Sequence, residues 1–175
     1  MPADQSVEPL PLAVDCLVEA GGWSDEIDLQ ALAEKTLAAV LQHPGFTALN
    51  VTIRAGSEVS LVFTNDEKIA VLNANHRSKP TPTNVLSFPQ NAPKSPIFGP
   101  FLGDIVLAYE TIEREAALDQ KDPSHHVQHL IVHGFLHLLG LDHAHDKEAD
   151  EMERLEIAIL SHLGIDDPYR DPVER

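Results

Sequence analysis

The chain has 175 residues, 43% of them hydrophobic and 23% charged, which predicts one soluble globular domain with a substantial core. A formal net charge of −16 argues against binding nucleic acid through the overall electrostatic field, and a single cysteine excludes a disulfide framework. No stretch is apolar enough to span a membrane, and the N-terminus MPADQSVEPLP lacks the basic start of a signal peptide, which together predict a cytoplasmic protein.

Strands and helices interleave in the first half of the predicted structure. Apolar residues recur at every second position of the first segment, a strand pattern in which Cys16 is an inert thiol. The capping residues and turn signals then set the helix limits. In chain order, the predictions are a strand at 12–19, a helix capped by Asp28 and ending before Pro44, strands at 50–54 and 59–64, and a helix from Asn65 to about residue 75.

The second half begins with a long polar, proline-rich loop over residues 77–100, interrupted by a short apolar run. The interleaved strands and helices predict an α+β fold in which helices pack on a small mixed sheet. The predicted domain is residues 10–167, with a poorly ordered leader at 1–9 and a tail at 168–175. The later elements are a strand at 104–108, a helix near 110–118, a helix from the cap Asp122 to about Leu139, and a helix at 146–162 that Gly164 closes.

The strongest functional signal is the segment HGFLHLLGLDH, residues 133–143. His133 and His137 are one helical turn apart, so both rings leave the same face of a helix. Gly140 can end that helix and reverse the chain, which brings His143 to the other two. Three neutral nitrogen ligands suit a zinc ion that keeps a fourth position open.

This spacing matches the HExxHxxGxxH motif of metzincin proteases at every position except one. Gly134 stands where those enzymes carry the glutamate that acts as general base. No Met-turn follows either, because Met152 lies inside a helical pattern. The segment therefore predicts a metal hydrolase that is not a standard metalloprotease. Phosphodiester hydrolysis fits it better than amide hydrolysis, in which the departing amine needs a proton donor.

Basic residues concentrate in the middle of the chain. Five basic residues and three acidic ones lie between Arg54 and Lys94, whereas eleven acidic and four basic residues lie from Asp142 onward. A polyanion must therefore be held locally, near the first of these segments. Arg77 is the candidate, because a guanidinium can meet two phosphoryl oxygens at once. A surface salt bridge is the alternative role for it.

Four blocks of the sequence resemble the YbeY family of bacterial endoribonucleases, also called ribosomal RNA maturation factors. They are the HGxLHLxGxDH signature at 133–143, residues 72–77 with 83–89, residues 103–105, and residues 152–156 with 164–169. The resemblance covers roughly residues 50–170, and the order of the blocks is far more specific than any one of them.

The resemblance implies cleavage of single-stranded RNA in small-subunit ribosomal RNA maturation and ribosome quality control. The implied partners are single-stranded RNA, ribosomal RNA and the ribosome or its small-subunit proteins, with neither DNA nor a membrane. It also implies that His133, His137 and His143 bind one zinc ion per chain. Arg77 is the implied catalytic residue. The implied fold places a metal-binding helix, with a metzincin-like site, beside a mostly parallel sheet.

Several other polar residues could contribute to the site, and each also has a purely structural alternative. Asp142 could orient a ligand ring or move a proton, or could make only a turn contact. His145 is close enough in sequence to compete with His143 as third ligand. The remaining candidates are His126 and His129 packing beside the ligands, Asp104 shaping the site or ending a strand, and Asn84, Ser87 and Phe88 touching RNA.

Three hypotheses follow. The first is a zinc-dependent single-strand endoribonuclease that acts on ribosomal RNA. The second is a peptidase that recruits its base from elsewhere, such as Asp142, and the missing glutamate argues against it. The third is a non-catalytic ribosome-assembly factor with a structural metal. Structural zinc sites usually have four protein ligands including cysteine, and Cys16 is distant in sequence. A fourth ligand from His145 or Asp142 would restore the third hypothesis.

Overall fold

The computed structural model describes residues 12–142 and 145–170, so the predicted leader and most of the predicted tail lie outside the described residues. Helices and strands interleave along the chain. They are β1 (Leu12–Val18), α1 (Leu29–Gln42), α2 (Pro44–Thr47), β2 (Ser57–Thr64), α3 (Asp66–Arg77), β3 (Val85–Pro89), β4 (Phe101–Ala108), α4 (Tyr109–Leu118), α5 (Pro123–Leu138) and α6 (Asp146–His162).

The four strands form one mixed sheet in the order β1-β2-β4-β3. Strands β1, β2 and β4 are parallel, and β3 runs antiparallel to β4. The two edges of the sheet are therefore β1 and β3. A single domain with a mostly parallel sheet packed by helices confirms the α+β fold class.

Capping side chains explain where three of the helices begin. Asp28, Asn65 and Asp122 each accept a hydrogen bond from a main-chain N–H of the first turn of α1, α3 and α5. Pro123 occupies the first turn of α5, where its missing N–H costs nothing. The same capping residues predict the starts of these three helices from the sequence alone.

The main core lies between one face of the sheet and helices α1, α5 and α6. Strand residues that point to this face, such as Leu61, Phe63 and Ile105, are fully buried. Helix α5 is the centre of the domain, since 11 of its 16 residues are buried. A helix held on so many sides provides a rigid base for any side chain that it presents.

Helix α3 packs on the other face of the sheet. A small apolar cluster of Ile69, Leu86, Val106 and Ala108 forms there, with Phe88 packed against it. Val71 on α3 stays largely exposed beside this cluster. Among the described residues, no helix combines the length and the apolar character that a membrane crossing requires.

The predicted strand at residues 50–54 is wrong. This segment makes a single β-bridge, between Ile53 and Phe98, with hydrogen bonds from Arg54 N to Phe98 O and from Phe98 N to Thr52 O. Val51 and Ile53 do pack against the core, which explains the apolar alternation. The segment lies beside a loop, so no neighbouring strand extends the ladder.

Candidate metal centre

The C-terminal end of α5 positions the predicted metal site. The helix ends in a Schellman motif, in which Gly140 N donates to His137 O at 3.0 Å and Leu141 N donates to Leu136 O at 3.1 Å. Gly140 has φ +88°, and a Cβ there would lie 2.2 Å from the carbonyl oxygen of Pro93. Only glycine fits this turn, which reverses the chain immediately after the second histidine.

His133 and His137 meet on the same face of α5. Their Nε2 atoms are 3.1 Å apart, and the two rings lie nearly perpendicular. Two nitrogens bound tetrahedrally to one zinc ion at 2.0–2.1 Å would be roughly 3.3 Å apart. The pair therefore fits two ligands of a common ion. The third predicted ligand, His143, lies outside the described residues.

The remaining nitrogen of His133 is fixed by a buried carboxylate. His133 Nδ1 lies 2.5 Å from Glu156 Oε1, and the Glu156 side chain is fully buried on α6. Burial raises the pKa of Glu156, but hydrogen bonds from His129 and His133 outweigh it and lower that pKa to about 2. An ionised carboxylate only accepts, so Nδ1 carries the hydrogen and the lone pair of Nε2 is left for a metal.

His129 and Tyr169 complete the surroundings of Glu156. The Tyr169 hydroxyl donates a very short hydrogen bond to Glu156 Oε2, and His129 Nε2 lies 3.2 Å from that hydroxyl. Burial raises the pKa of Tyr169, aided by the charge of Glu156, so the hydroxyl stays a donor. Burial also lowers the pKa of His129, which keeps its ring neutral.

His129, His133 and Glu156 themselves form a group that could hold a metal ion, with ligand atoms within 4.8 Å of one another. The structure therefore offers two possible metal-binding groups. The inner group is His129, His133 and Glu156, and the outer pair is His133 with His137. The 2.5 Å contact between His133 and Glu156 is a hydrogen-bond distance, shorter than two ligand atoms around one ion take. Within the inner group, Glu156 contacts His133 at 2.5 Å and His129 at 3.5 Å, whereas the outer pair points two nitrogens at each other.

The position of the absent glutamate is closed by packing. Gly134 is buried against the sheet, and a Cβ there would lie 2.8 Å from Ile105 Cγ2 and 3.1 Å from Ser87 Oγ. Ser87 Oγ also donates to the carbonyl oxygen of Gly134 at 3.0 Å. The helix approaches β3 and β4 so closely that a side chain at position 134 would require Ile105 and Ser87 to move.

The outer pair opens into a cleft of about 670 Å³. Arg77, at the end of α3, lines the same cleft and is exposed. No carboxylate of the described chain forms a salt bridge with it, so the alternative of a surface ion pair has no support there. The described residues that line the cleft are His76, Arg77, Thr83, Asn84, Val85, Leu86, Ser87, Pro89, Pro93, His129, Leu130, His133, His137, Gly140, Leu141, Asp142 and Tyr169.

The secondary candidates divide between the cleft and other places. Asp142 lines the cleft next to the glycine turn, whereas Asp104 lies in a groove on the opposite face of the sheet. Phe88 packs in the small apolar cluster with its ring 4.6 Å from that of His76, as a strand residue does. His126 binds Glu115 at 2.9 Å, and His145 is exposed at the start of α6.

Two residues that the sequence prediction missed complete the site. Glu156 follows Met152 by four residues and precedes Ile159 by three, so it occupies the buried stripe of α6. A carboxylate on an apolar stripe is a usable signal of a paired buried acid. Tyr169 lies in the predicted tail, and its return to the site depends on the tertiary fold alone.

The fold and the cleft define a class of protein: an α+β domain whose central helix presents a histidine pair to an open cleft. A family model described as Endoribonuclease YbeY matches residues 22–164. The chain belongs to the YbeY endoribonuclease family.

Individual relatives agree with this assignment. The Endoribonuclease YbeY of Sinorhizobium medicae is 47% identical over 162 residues, which cover 91% of this chain and 96% of the relative. That of Agrobacterium fabrum is 49% identical and covers 90% and 95%. A solution structure of the Thermotoga maritima protein TM1509 matches with a TM-score of 0.52 and 18% identity, over 91% of this chain and 99% of that one. This likeness supports the fold alone.

Proposed function

We propose that this chain is a zinc-dependent endoribonuclease that cleaves single-stranded RNA in small-subunit ribosomal RNA maturation and ribosome quality control. The observation that carries the proposal is the histidine pair with Nε2 atoms 3.1 Å apart, open to a cleft that Arg77 also lines. Relatives named as endoribonucleases, at 44–49% identity, support RNA as the substrate. The proposed location is the cytoplasm, and the proposed partners are ribosomal RNA and the ribosome or its small-subunit proteins.

His133, His137 and His143 would hold one zinc ion per chain. Bound there, zinc would make hydroxide available near neutral pH and polarise a phosphoryl oxygen. Glu156 holds the His133 ring with its free nitrogen towards the cleft. Arg77 would bind the oxygens on which negative charge develops as the phosphodiester bond breaks.

The peptidase hypothesis loses support from the packing at Gly134. A protease of the metzincin pattern needs a glutamate there, and even its Cβ would crowd the side chains of Ile105 and Ser87. The structural-metal hypothesis has a specific test, since a fourth protein ligand would close the site. The wide cleft beside His133 and His137 favours a site that a substrate can reach.

The experiment compares cleavage of a labelled single-stranded RNA and of casein by the purified chain, with and without a chelator. Cleavage of RNA should vanish with the chelator and in His137→Ala. In Arg77→Ala the rate should fall by about 10²–10³, as for loss of one group that stabilises transition-state charge. Arg77→Lys should recover only part of it, because an ammonium cannot meet two oxygens in one plane.

Two exposed residues provide matched controls. His162→Ala on α6 and Lys79→Ala just after α3 should cleave RNA at the rate of the parent chain. Cleavage of casein alone would support the peptidase hypothesis. Metal-dependent folding without either activity would support the structural-metal hypothesis.

A further inference from the structure

We propose that the free edge of β3 binds the ribose–phosphate backbone of the RNA through its main-chain N–H groups. The inference rests on the proposed function and says how a chain of net charge −16 can hold a polyanion. It concerns one strand, Val85–Pro89, and does not depend on which residues bind the metal.

The register of the sheet decides which main-chain groups of β3 are free. Ala108 N donates to Asn84 O at 3.0 Å before the strand, and Gln90 N donates to Leu102 O at 3.1 Å after it. In an antiparallel pair, residues that exchange hydrogen bonds alternate with residues that do not. Asn84 and Gln90, which make the two flanking bonds, are both even-numbered, so the even-numbered residues between them also face β4. The main-chain groups of Val85 and Ser87 therefore point away from β4 towards the open edge.

That open edge faces the cleft. Val85, Ser87 and Pro89 all line it, and within 12–142 and 145–170 no acceptor binds the N–H of Val85 or Ser87. The hydrogen bond from Ser87 Oγ to Gly134 O fixes the edge beside the residue that follows His133. Pro89 has no N–H, so the row of donors stops after two. A short edge that ends in proline is a poor partner for another β-strand.

The described lining of the cleft has little positive charge with which to hold a polyanion, so neutral hydrogen-bond donors are needed there. Of the described residues that line it, Arg77 alone is a lysine or arginine. Main-chain N–H groups can bind phosphate oxygens by charge-assisted hydrogen bonds without adding positive charge. The N–H groups of Val85 and Ser87 are about 6.6–6.8 Å apart along an extended strand. This repeat resembles that of successive phosphates in an extended nucleotide chain, and a backbone contact of this kind reads no base.

The test removes one donor with little change of shape. Val85→Pro deletes the N–H, and proline is tolerated at an edge position whose N–H faces outward. The matched control is Val18→Pro on β1, the opposite edge. Glu19 N donates to Phe63 O, so the alternation leaves the N–H of Val18 facing outward, and Val18 is 51% exposed. Both variants are made in the His137→Ala chain, so that the RNA is not cut.

Binding is measured by fluorescence anisotropy with a labelled, unstructured single-stranded RNA at several salt concentrations. Val85→Pro should weaken binding roughly ten-fold or more, the usual loss for a hydrogen bond to a charged group. It should leave the slope of log affinity against log salt unchanged, because no cation is lost. Arg77→Ala should instead lower that slope by about 0.7, as expected for one phosphate contact on a single strand. Val18→Pro should change neither quantity.

Equal RNA binding by Val85→Pro and its parent, with the same melting temperature, would overturn the edge proposal. If the proline variant does not fold, an ester in place of the Val85 N–H removes the donor alone, and the same criterion applies. Should Val85→Pro lose self-association or peptide binding while RNA binding stays intact, the edge pairs with protein strands and the proposal fails. A parent chain that neither binds nor cleaves RNA overturns both proposals, whereas cleavage with unchanged Val85→Pro binding overturns only this one.

Discussion

The two ring nitrogens of His133 face different partners, and Glu156 determines which one is left for a metal. Nδ1 donates to the buried carboxylate, and Nε2 faces His137. The orientation of the ring is therefore set from α6, across the helix interface. Ligand histidines held in this way bind metal more tightly, because the ring neither rotates nor changes tautomer.

The first prediction concerns Glu156→Gln, a variant that removes the charge of this side chain. In Glu156→Gln the amide cannot accept from His133 and Tyr169 on both of its atoms, so one buried donor loses its partner. Zinc affinity should fall about 10–100-fold. The free energy of unfolding of the metal-free protein should fall by about 1–3 kcal/mol.

A competing chelator measures the zinc affinity, and chemical denaturation measures the stability. Glu151→Gln, on the exposed face of the same helix, is the control and should change neither quantity. Unchanged zinc affinity in Glu156→Gln would mean that the carboxylate does not orient a ligand.

The second prediction concerns the lone thiol. Burial, with help from Asp15, Glu34 and Asp28, raises the pKa of Cys16 from 9.0 to about 12. Because the thiolate is the reactive form, a disulfide reagent at pH 8 should modify the folded chain at least about ten-fold more slowly than the unfolded one. The folded state also holds this proton more tightly, so stability should fall as pH rises from 9 to 12. Cys16→Ala should remove that component, and rapid modification of the folded chain would contradict the prediction.

Residues related by short-range geometry could be predicted from the sequence, and those joined by the tertiary fold could not. The one-turn spacing of His133 and His137 and the turn at Gly140 are properties of a single helix. The roles of Glu156 and Tyr169 depend on how α6 and the following segment pack against α5. Pairing over 23 or 13 residues leaves no periodic signal in the sequence.

At the scale of elements, the contact of α5 with the sheet limits what the site can become. Gly134 touches Ile105 of β4 and Ser87 of β3, so the helix lies directly on both strands. This contact fixes the position of β3 relative to the histidine pair. The strand predicted at 50–54 fails for a related reason, because pairing depends on a neighbour that apolar alternation does not reveal.

The third prediction introduces the protease glutamate. Gly134→Glu should lower the free energy of unfolding by more than about 3 kcal/mol, because it overpacks a buried contact and buries a carboxylate without a partner. It should gain no casein-cleaving activity. Chemical denaturation and a casein assay measure the two outcomes. Ala31→Glu, in the exposed first turn of α1, is the control and should be close to neutral. A stable variant that cleaves casein would show that the sheet yields to the new side chain.

At the scale of the whole molecule, the candidate metal site joins the central helix to α6 and the segment after it. A ligand that binds the folded state alone adds stability as its concentration exceeds its dissociation constant. Metal binding should therefore be visible in global unfolding, even though the site lies at one end of a helix.

The fourth prediction uses this coupling to separate the two possible ligand groups. At free zinc 100 times the dissociation constant, the stability should rise by about 2.7 kcal/mol, which corresponds to a melting temperature higher by roughly 5–10 °C. His137→Ala should lose this shift, and His162→Ala should keep it. If His129→Ala loses the shift and His137→Ala keeps it, the inner group of His129, His133 and Glu156 binds the ion instead.

The close packing of Gly134 has an evolutionary consequence. A glutamate at position 134 would require Ile105 to move or to be replaced by a smaller residue. The first change alone overcrowds the interior, and the second alone leaves a void there. Each change alone would lower stability, so a route to a carboxylate at this place would pass through a less stable intermediate.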